Sequence, residues 1–172
     1  MQKIVLMGYM ASGKTSVGRL LAHQMNLRHV DLDDKIEEKC RMKIPTIFEQ
    51  KGEIHFRKIE RDTLVEILSD PNPIVLSLGG GTPCYANNHE LLDDDNVVSV
   101  YLRASIEVIV DRLKSSGQAR PLIVSENTEE IKEFVAKHLF DRSYYYNKAN
   151  YTIVVDDKPP GQIAEEVLAL LT

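Results

Sequence analysis

The chain has 172 residues, 43% hydrophobic and 27% charged, with 26 acidic against 21 basic residues and a formal charge of −5. That length buries a core without disulfides or a structural metal, since a domain of about 150 residues already removes roughly 68–70% of its unfolded surface from water. The acidic excess is spread along the chain, which argues against a general nucleic-acid or membrane-surface binder, because either needs a cationic face. Small anionic ligands stay open wherever basic residues gather locally.

Cys40 and Cys84 are the only cysteines. They are too few for a disulfide framework and lie in no C-x-x-C or zinc-ligand spacing, which fits a reducing compartment. Lys3 ahead of Ile4-Val5-Leu6-Met7 has the look of a signal-peptide start, but the apolar run is short and leads into glycines and Lys14 rather than a cleavage site. No stretch is long enough to span a bilayer. A cytoplasmic monomer without a nucleic-acid or membrane partner is expected.

Five short apolar runs read as strands: Lys3–Met7, Arg28–Asp31, Pro73–Leu78, Asn96–Leu102 and Tyr151–Val155. Their apolar character is nearly continuous, as in strands of a parallel sheet covered on both faces. Helical periodicity appears at Val17, Leu20, Leu21 and Met25, and again at Phe56, Ile59, Thr63, Leu64, Ile67 and Leu68. It returns at Ile106, Ile109, Val110 and Leu113, then at Ile131, Phe134, Val135, His138 and Leu139, with Thr128 as expected N-cap and Glu129 and Glu130 in the first turn. Pro159-Pro160 opens a last helix carrying Ile163, Val167, Leu170 and Leu171. The β-α alternation predicts one three-layer α/β/α domain over residues 1–172, with a five-stranded parallel sheet. Residues 115–127, polar and glycine-containing around Arg120-Pro121, form an expected mobile lid.

Gly8-Tyr9-Met10-Ala11-Ser12-Gly13-Lys14-Thr15 matches G-x-x-x-x-G-K-[ST], set between a strand and an amphipathic helix. Glycines let the backbone curl with its N–H groups inward, and the helix start adds its positive dipole end to the same hollow. This P-loop NTPase signature predicts phosphate binding by Ala11, Ser12, Gly13, Lys14, Thr15 and Ser16. Lys14 reaches the β- and γ-phosphates, and the Thr15 hydroxyl meets Mg²⁺. Asn147-Lys148-Ala149-Asn150 lacks the Asp of the guanine-binding Asn-Lys-x-Asp and precedes its strand, so guanine specificity is not supported.

Asp31 and Asp33 fall just past the second strand's carboxyl end, the ligand edge of open α/β sheets. Asp31 is a candidate outer partner of Mg²⁺, and Asp33 a candidate acceptor of a hydroxyl proton. The bland alternative is that Asp33 or Asp34 caps the next helix. Gly52 to Arg61 reads as the start of a charged helix with a solvated face. Gly79-Gly80-Gly81 at the third strand's end permits close backbone approach to a ligand.

Together these pieces resemble the shikimate kinases, in order and over essentially the whole chain: the P-loop, Asp31-Leu32-Asp33, Phe56-Arg57, the triple glycine, Arg120-Pro121-Leu122, and Arg142 ahead of Tyr144-Tyr145-Tyr146. The resemblance implies a P-loop kinase that transfers the ATP γ-phosphoryl group to the 3-hydroxyl of shikimate. It implies that Asp33, Arg57, Arg142 and Gly79, Gly80 and Gly81 hold shikimate. Lys14, Thr15, Asp31 and Arg120 would handle Mg·ATP, with Lys14, Asp33 and Arg120 catalytic and Thr15 and Asp31 at the metal. Arg112 is an expected adenine contact. The family commonly has glycine where Ala11 stands, a change expected to be tolerated if the local φ is negative. A gluconate-type kinase and a nucleotide-binding regulatory module are the rival readings, and the Phe56-Arg57, triple-glycine and Arg120 elements stand against the first.

Overall fold

A computed structural model of the chain describes residues 2–116 and 127–172. In chain order they form β1 (Lys3–Met7), α1 (Lys14–Gln24), β2 (Arg28–Asp31), α2 (Leu32–Cys40), α3 (Ile44–Ser69), β3 (Ile74–Ser77), a 3₁₀ turn (Thr82–Cys84) and α4 (Asn88–Leu91). Then follow β4 (Val97–Arg103), α5 (Ile106–Ser115), α6 (Thr128–Tyr146), β5 (Tyr151–Val154) and α7 (Pro160–Leu171). The expected lid, apart from its ends, and Arg120 lie outside the described residues.

All five strands run parallel in the order β2-β3-β1-β4-β5. The register pairs Val5 with Leu76 on one side and with Ser99 on the other, so β1 is the central strand. Every residue of β1 and β3 is buried, which is why their apolar runs do not alternate. The step from β1 to β2 runs opposite to the later ones, so right-handed crossovers put α1 on one face, with α7 packed beside it, and α3, α5 and α6 on the other.

Two helix starts differ from expectation. Asp31, not Asp33 or Asp34, caps α2: its Oδ1 accepts the Asp34 N–H at 3.2 Å. Asn127, not Thr128, caps α6, accepting the Glu129 N–H at 2.9 Å. The amide oxygen of Asn127 reaches one turn position earlier than a Thr128 hydroxyl would, and the helix begins accordingly. The charged helix also begins well before Gly52. It starts at Ile44 and breaks at Gly52, whose φ of 81° and ψ of 170° are non-helical, so two helical arms meet there.

Candidate active site

At the carboxyl end of β1 the chain turns through the P-loop into α1, with Gly13 (φ 95°) as the left-handed residue before the first helical turn. The Lys14 ammonium folds back over the loop, donating to the carbonyls of Gly8 at 2.7 Å and Tyr9 at 3.0 Å. Ser12 is fully buried, and its hydroxyl has no hydrogen-bond partner among the described residues. Ser16 is exposed on α1. Arg112 reaches across from α5 and donates to the Ala11 carbonyl at 2.8 Å, beside Gly13. Its place is thus on the rim of the loop. Ala11 itself has φ 64°, so the negative angle on which easy tolerance of alanine depends is not met. The loop's curl imposes the left-handed conformation, and alanine bears the strain that glycine would avoid.

The end of β2, next but one to β1 in the sheet, and the start of α2 supply the carboxylates. Thr15 Oγ1 donates to Asp31 Oδ2 at 3.0 Å, bringing together the two expected metal-site residues. A hydroxyl and one carboxylate at the mouth of a phosphate loop suit Mg²⁺, a hard cation that keeps several waters and shares phosphate oxygens. No group of three or more His, Cys, Asp or Glu suited to a metal occurs among the described residues.

Asp33 lies one helical step on, facing the triple-glycine loop. Its carboxyl is pushed up to about 6, chiefly by burial, then by the carboxylates of Asp31 and Glu60, with Lys14 opposing. Near neutrality such a group sits close to its midpoint, as a proton acceptor requires.

Gly79-Gly80-Gly81 is the meeting place of three elements. A Cβ on Gly79 would lie 2.9 Å from Asp33 Oδ1, one on Gly80 3.3 Å from Arg142 Nη1 and 3.4 Å from the Met10 amide, and one on Gly81 2.9 Å from Arg57 Nη2. Side chains at these positions would fill the contacts between the P-loop, Asp33 and the two arginines. Absence of Cβ, rather than turn geometry, is what the loop needs.

Arg57 and Arg142 are held in different ways. Arg57 Nη1 donates to Glu60 Oε1 at 2.9 Å, and Glu60, 1% exposed, also accepts the Thr82 hydroxyl at 2.9 Å. Arg142, 9% exposed on α6, lies with its guanidinium 5.5 Å from the Tyr9 ring centre. Tyr146, one turn along, donates its hydroxyl to the Gly80 carbonyl and stacks on Tyr101 with centroids 5.0 Å apart. Burial pushes the Tyr146 phenol up, so it stays a donor. Cys84, nearby, is pushed up to about 11 by burial and stays a thiol at neutral pH.

The family model for shikimate kinase matches residues 10–172. The chain belongs to the shikimate kinase family. A shikimate kinase from Flavobacterium psychrophilum is 50% identical over 171 residues, 99% of each chain. A solved shikimate kinase from Acinetobacter baumannii, in complex with shikimate, superposes with a TM-score of 0.89 at 34% identity, covering 99% of this chain and 93% of that one. A gluconokinase from Sinorhizobium meliloti, at 18% identity and TM-score 0.64, covers 98% and 90% and shares the fold alone.

The resemblance read from the motifs therefore holds, and the chain is of an ATP-using kinase family. Among the described residues, the structure gathers Lys14, Thr15, Asp31, Asp33, Arg57, Arg142 and the three glycines at one sheet edge. A cavity of about 700 Å³ around Lys3, Asp70, Asp94 and Val97 lies at the opposite edge and contains none of them. Sequence reasoning missed Glu60, taken for part of a solvated face. The signal was there: Phe56, Glu60, Thr63 and Leu64 fall on one helical stripe and are all buried. Tyr146 shares the buried stripe of α6 with Ile131, Val135 and Arg142 in the same manner.

Proposed function

We propose that this chain transfers the γ-phosphoryl group of ATP to the 3-hydroxyl of shikimate, giving ADP and shikimate 3-phosphate. The observation that carries the reading is the triple-glycine loop, which has Asp33, Arg57 and Arg142 against its three residues and the P-loop backbone alongside. A carboxylated triol needs what that pocket holds: guanidinium forks for the carboxylate and a carboxylate for a ring hydroxyl.

In this reading the P-loop amides and Lys14 take the nucleotide phosphates, Lys14 exchanging its two backbone carbonyls for phosphate oxygens. Asp33 takes the 3-hydroxyl and accepts its proton as attack proceeds, a role its raised pKa suits. Arg57 and Arg142 grip the ring carboxylate, and Arg112 sits at the nucleotide side of the loop. Thr15 and Asp31 would hold Mg²⁺, which when bound neutralises phosphate charge. Family resemblance adds Arg120 as a further cation on the transferring group. A single domain spanning residues 1–172, working as a monomer in the cytoplasm, completes the proposal. No helix among the described residues is long and apolar enough to cross a membrane.

Coupled ADP-release measurements on shikimate, quinate-like acids and gluconate, with NMR assignment of the phosphorylated position, test it. Turnover that depends on shikimate and yields the 3-phosphate is expected, and ADP release indifferent to shikimate would overturn the reading. Arg120→Ala should depress kcat far more than it raises the shikimate KM.

A further inference from the structure

One aromatic side chain at this edge has no part in the mechanism above. Tyr85 follows the 3₁₀ turn after the triple glycine, 38% exposed, and its ring centre lies 3.8 Å from the Arg57 guanidinium carbon. Phe56 lies 5.1 Å from the same carbon. Gly81 separates the two partners by the least possible bulk: a Cβ there would stand 3.2 Å from Tyr85 Cε2 and 3.1 Å from Arg57 Nη1.

The guanidinium is thereby defined from several directions. Glu60 takes Nη1 at 2.9 Å and Tyr85 covers a face, Nη2 lies beside Gly81, and Nε, 3.7 Å from Glu53, is buried without a hydrogen-bond partner among the described residues. A fork meets a planar carboxylate with two parallel bonds only when its plane is set beforehand. Stacking supplies that setting through the ring quadrupole, and it shelters the arginine from water.

The support beneath Tyr85 is stiff. Ala86 and Asn87 both occupy the left-handed region, at φ 51° and 54°. Arg61 Nη1 fastens this turn by donating to the Ala86 carbonyl at 2.6 Å and to Asn88 Oδ1 at 3.2 Å. Asn88 is buried and returns a bond to the Thr82 carbonyl at 2.9 Å. Ordering of the tyrosine is therefore met in the folded protein rather than at binding, which is how preorganisation raises affinity.

We infer that Tyr85 is a positioning residue for substrate recognition: its ring holds the Arg57 plane so that the Nη2 side faces the ligand carboxylate. The consequence is selectivity for ring acids over neutral polyols. This inference rests on the proposed reaction, and Tyr85 acts in it only through Arg57.

The test is steady-state kinetics of the full chain and of Tyr85→Phe, Tyr85→Leu, Arg57→Lys and the Tyr85→Leu/Arg57→Lys double variant, with thermal unfolding of each. Tyr85→Leu should raise the shikimate KM about five- to tenfold, leaving kcat, the ATP KM and the unfolding midpoint unchanged. Tyr85→Phe should match the unaltered chain, because the face and not the hydroxyl acts. In the Arg57→Lys background, where no plane is left to hold, the leucine should add less than about twofold. An unchanged KM in Tyr85→Leu, a Phe variant as impaired as the Leu variant, or a fall in kcat and unfolding midpoint together would overturn the inference. A parent chain without shikimate-dependent ADP release would instead overturn the reaction itself, so the two failures are distinguishable.

Discussion

Replacing Asp33 by asparagine should make the protein more stable and nearly inactive. The carboxyl is raised from 3.8 to about 6, first by burial and then by the neighbouring Asp31 and Glu60 carboxylates, and it accepts no hydrogen bond from the described residues that asparagine would forfeit. A group whose folded pKa is raised binds more protons folded than unfolded between those two values, so stability falls as pH rises through that window. The deficit is small near pH 4, about 1.6 kcal/mol at pH 5 and about 3 kcal/mol at pH 8, where it levels off. Asparagine imitates the protonated form and should recover most of it. Urea denaturation at pH 5 and pH 8 should show an advantage of Asp33→Asn over the parent that roughly doubles between them, with an unfolding midpoint some 6–12 °C higher at pH 8. Turnover should fall by about 10²-fold or more, since no group is left to accept the hydroxyl proton. Equal stability at pH 8, or an advantage that does not change with pH, would refute the argument that the fold holds this carboxylate at a cost.

Other consequences of the geometry are open to equally direct measurement. Ala11→Gly removes a side chain from φ 64° and, after the entropy that glycine adds to the unfolded chain, should stabilise by about 0.5–1 kcal/mol in urea titrations. Glu60→Gln leaves the Arg57 charge with only the more exposed Glu53 at 3.7 Å in place of its buried partner at 2.9 Å and should cost about 2–3 kcal/mol of stability while raising the shikimate KM. Gly79→Ala sets a methyl 2.9 Å from Asp33 Oδ1 and 3.0 Å from the Thr82 hydroxyl. It should lower kcat at least about tenfold while costing about 1–3 kcal/mol of stability.

The inner strands β1, β3 and β4 were plain in the sequence because buried strands announce themselves by nearly unbroken apolar runs, whereas the edge strands β2 and β5 are buried only in part; observed strand limits differ from the expected ones by at most one residue at an end. The P-loop was equally plain, since its spacing is tied to a backbone shape that few residues allow. Other features depend on contacts between distant segments. α2 is short and rich in charge, so periodicity alone gave it little weight, and Gly52 read as a helix boundary when it is a break within one. Ala11 adopts its angle because the surrounding loop dictates it, a constraint no local propensity reports. Glu60 looks like a surface residue until Thr82, from another segment, arrives to satisfy it, and a packing role for an aromatic at a helix end does not report that the Tyr146 hydroxyl meets the Gly80 carbonyl.

The two oxygens of Asp31 are committed to separate duties, Oδ2 to the Thr15 hydroxyl and Oδ1 to the first turn of α2. One atom can change partners during a reaction cycle without unfastening the helix that carries Asp33. The anchor of α2 is thereby separate from the Thr15 contact, and Asp33, the residue after next, rides on the anchored helix.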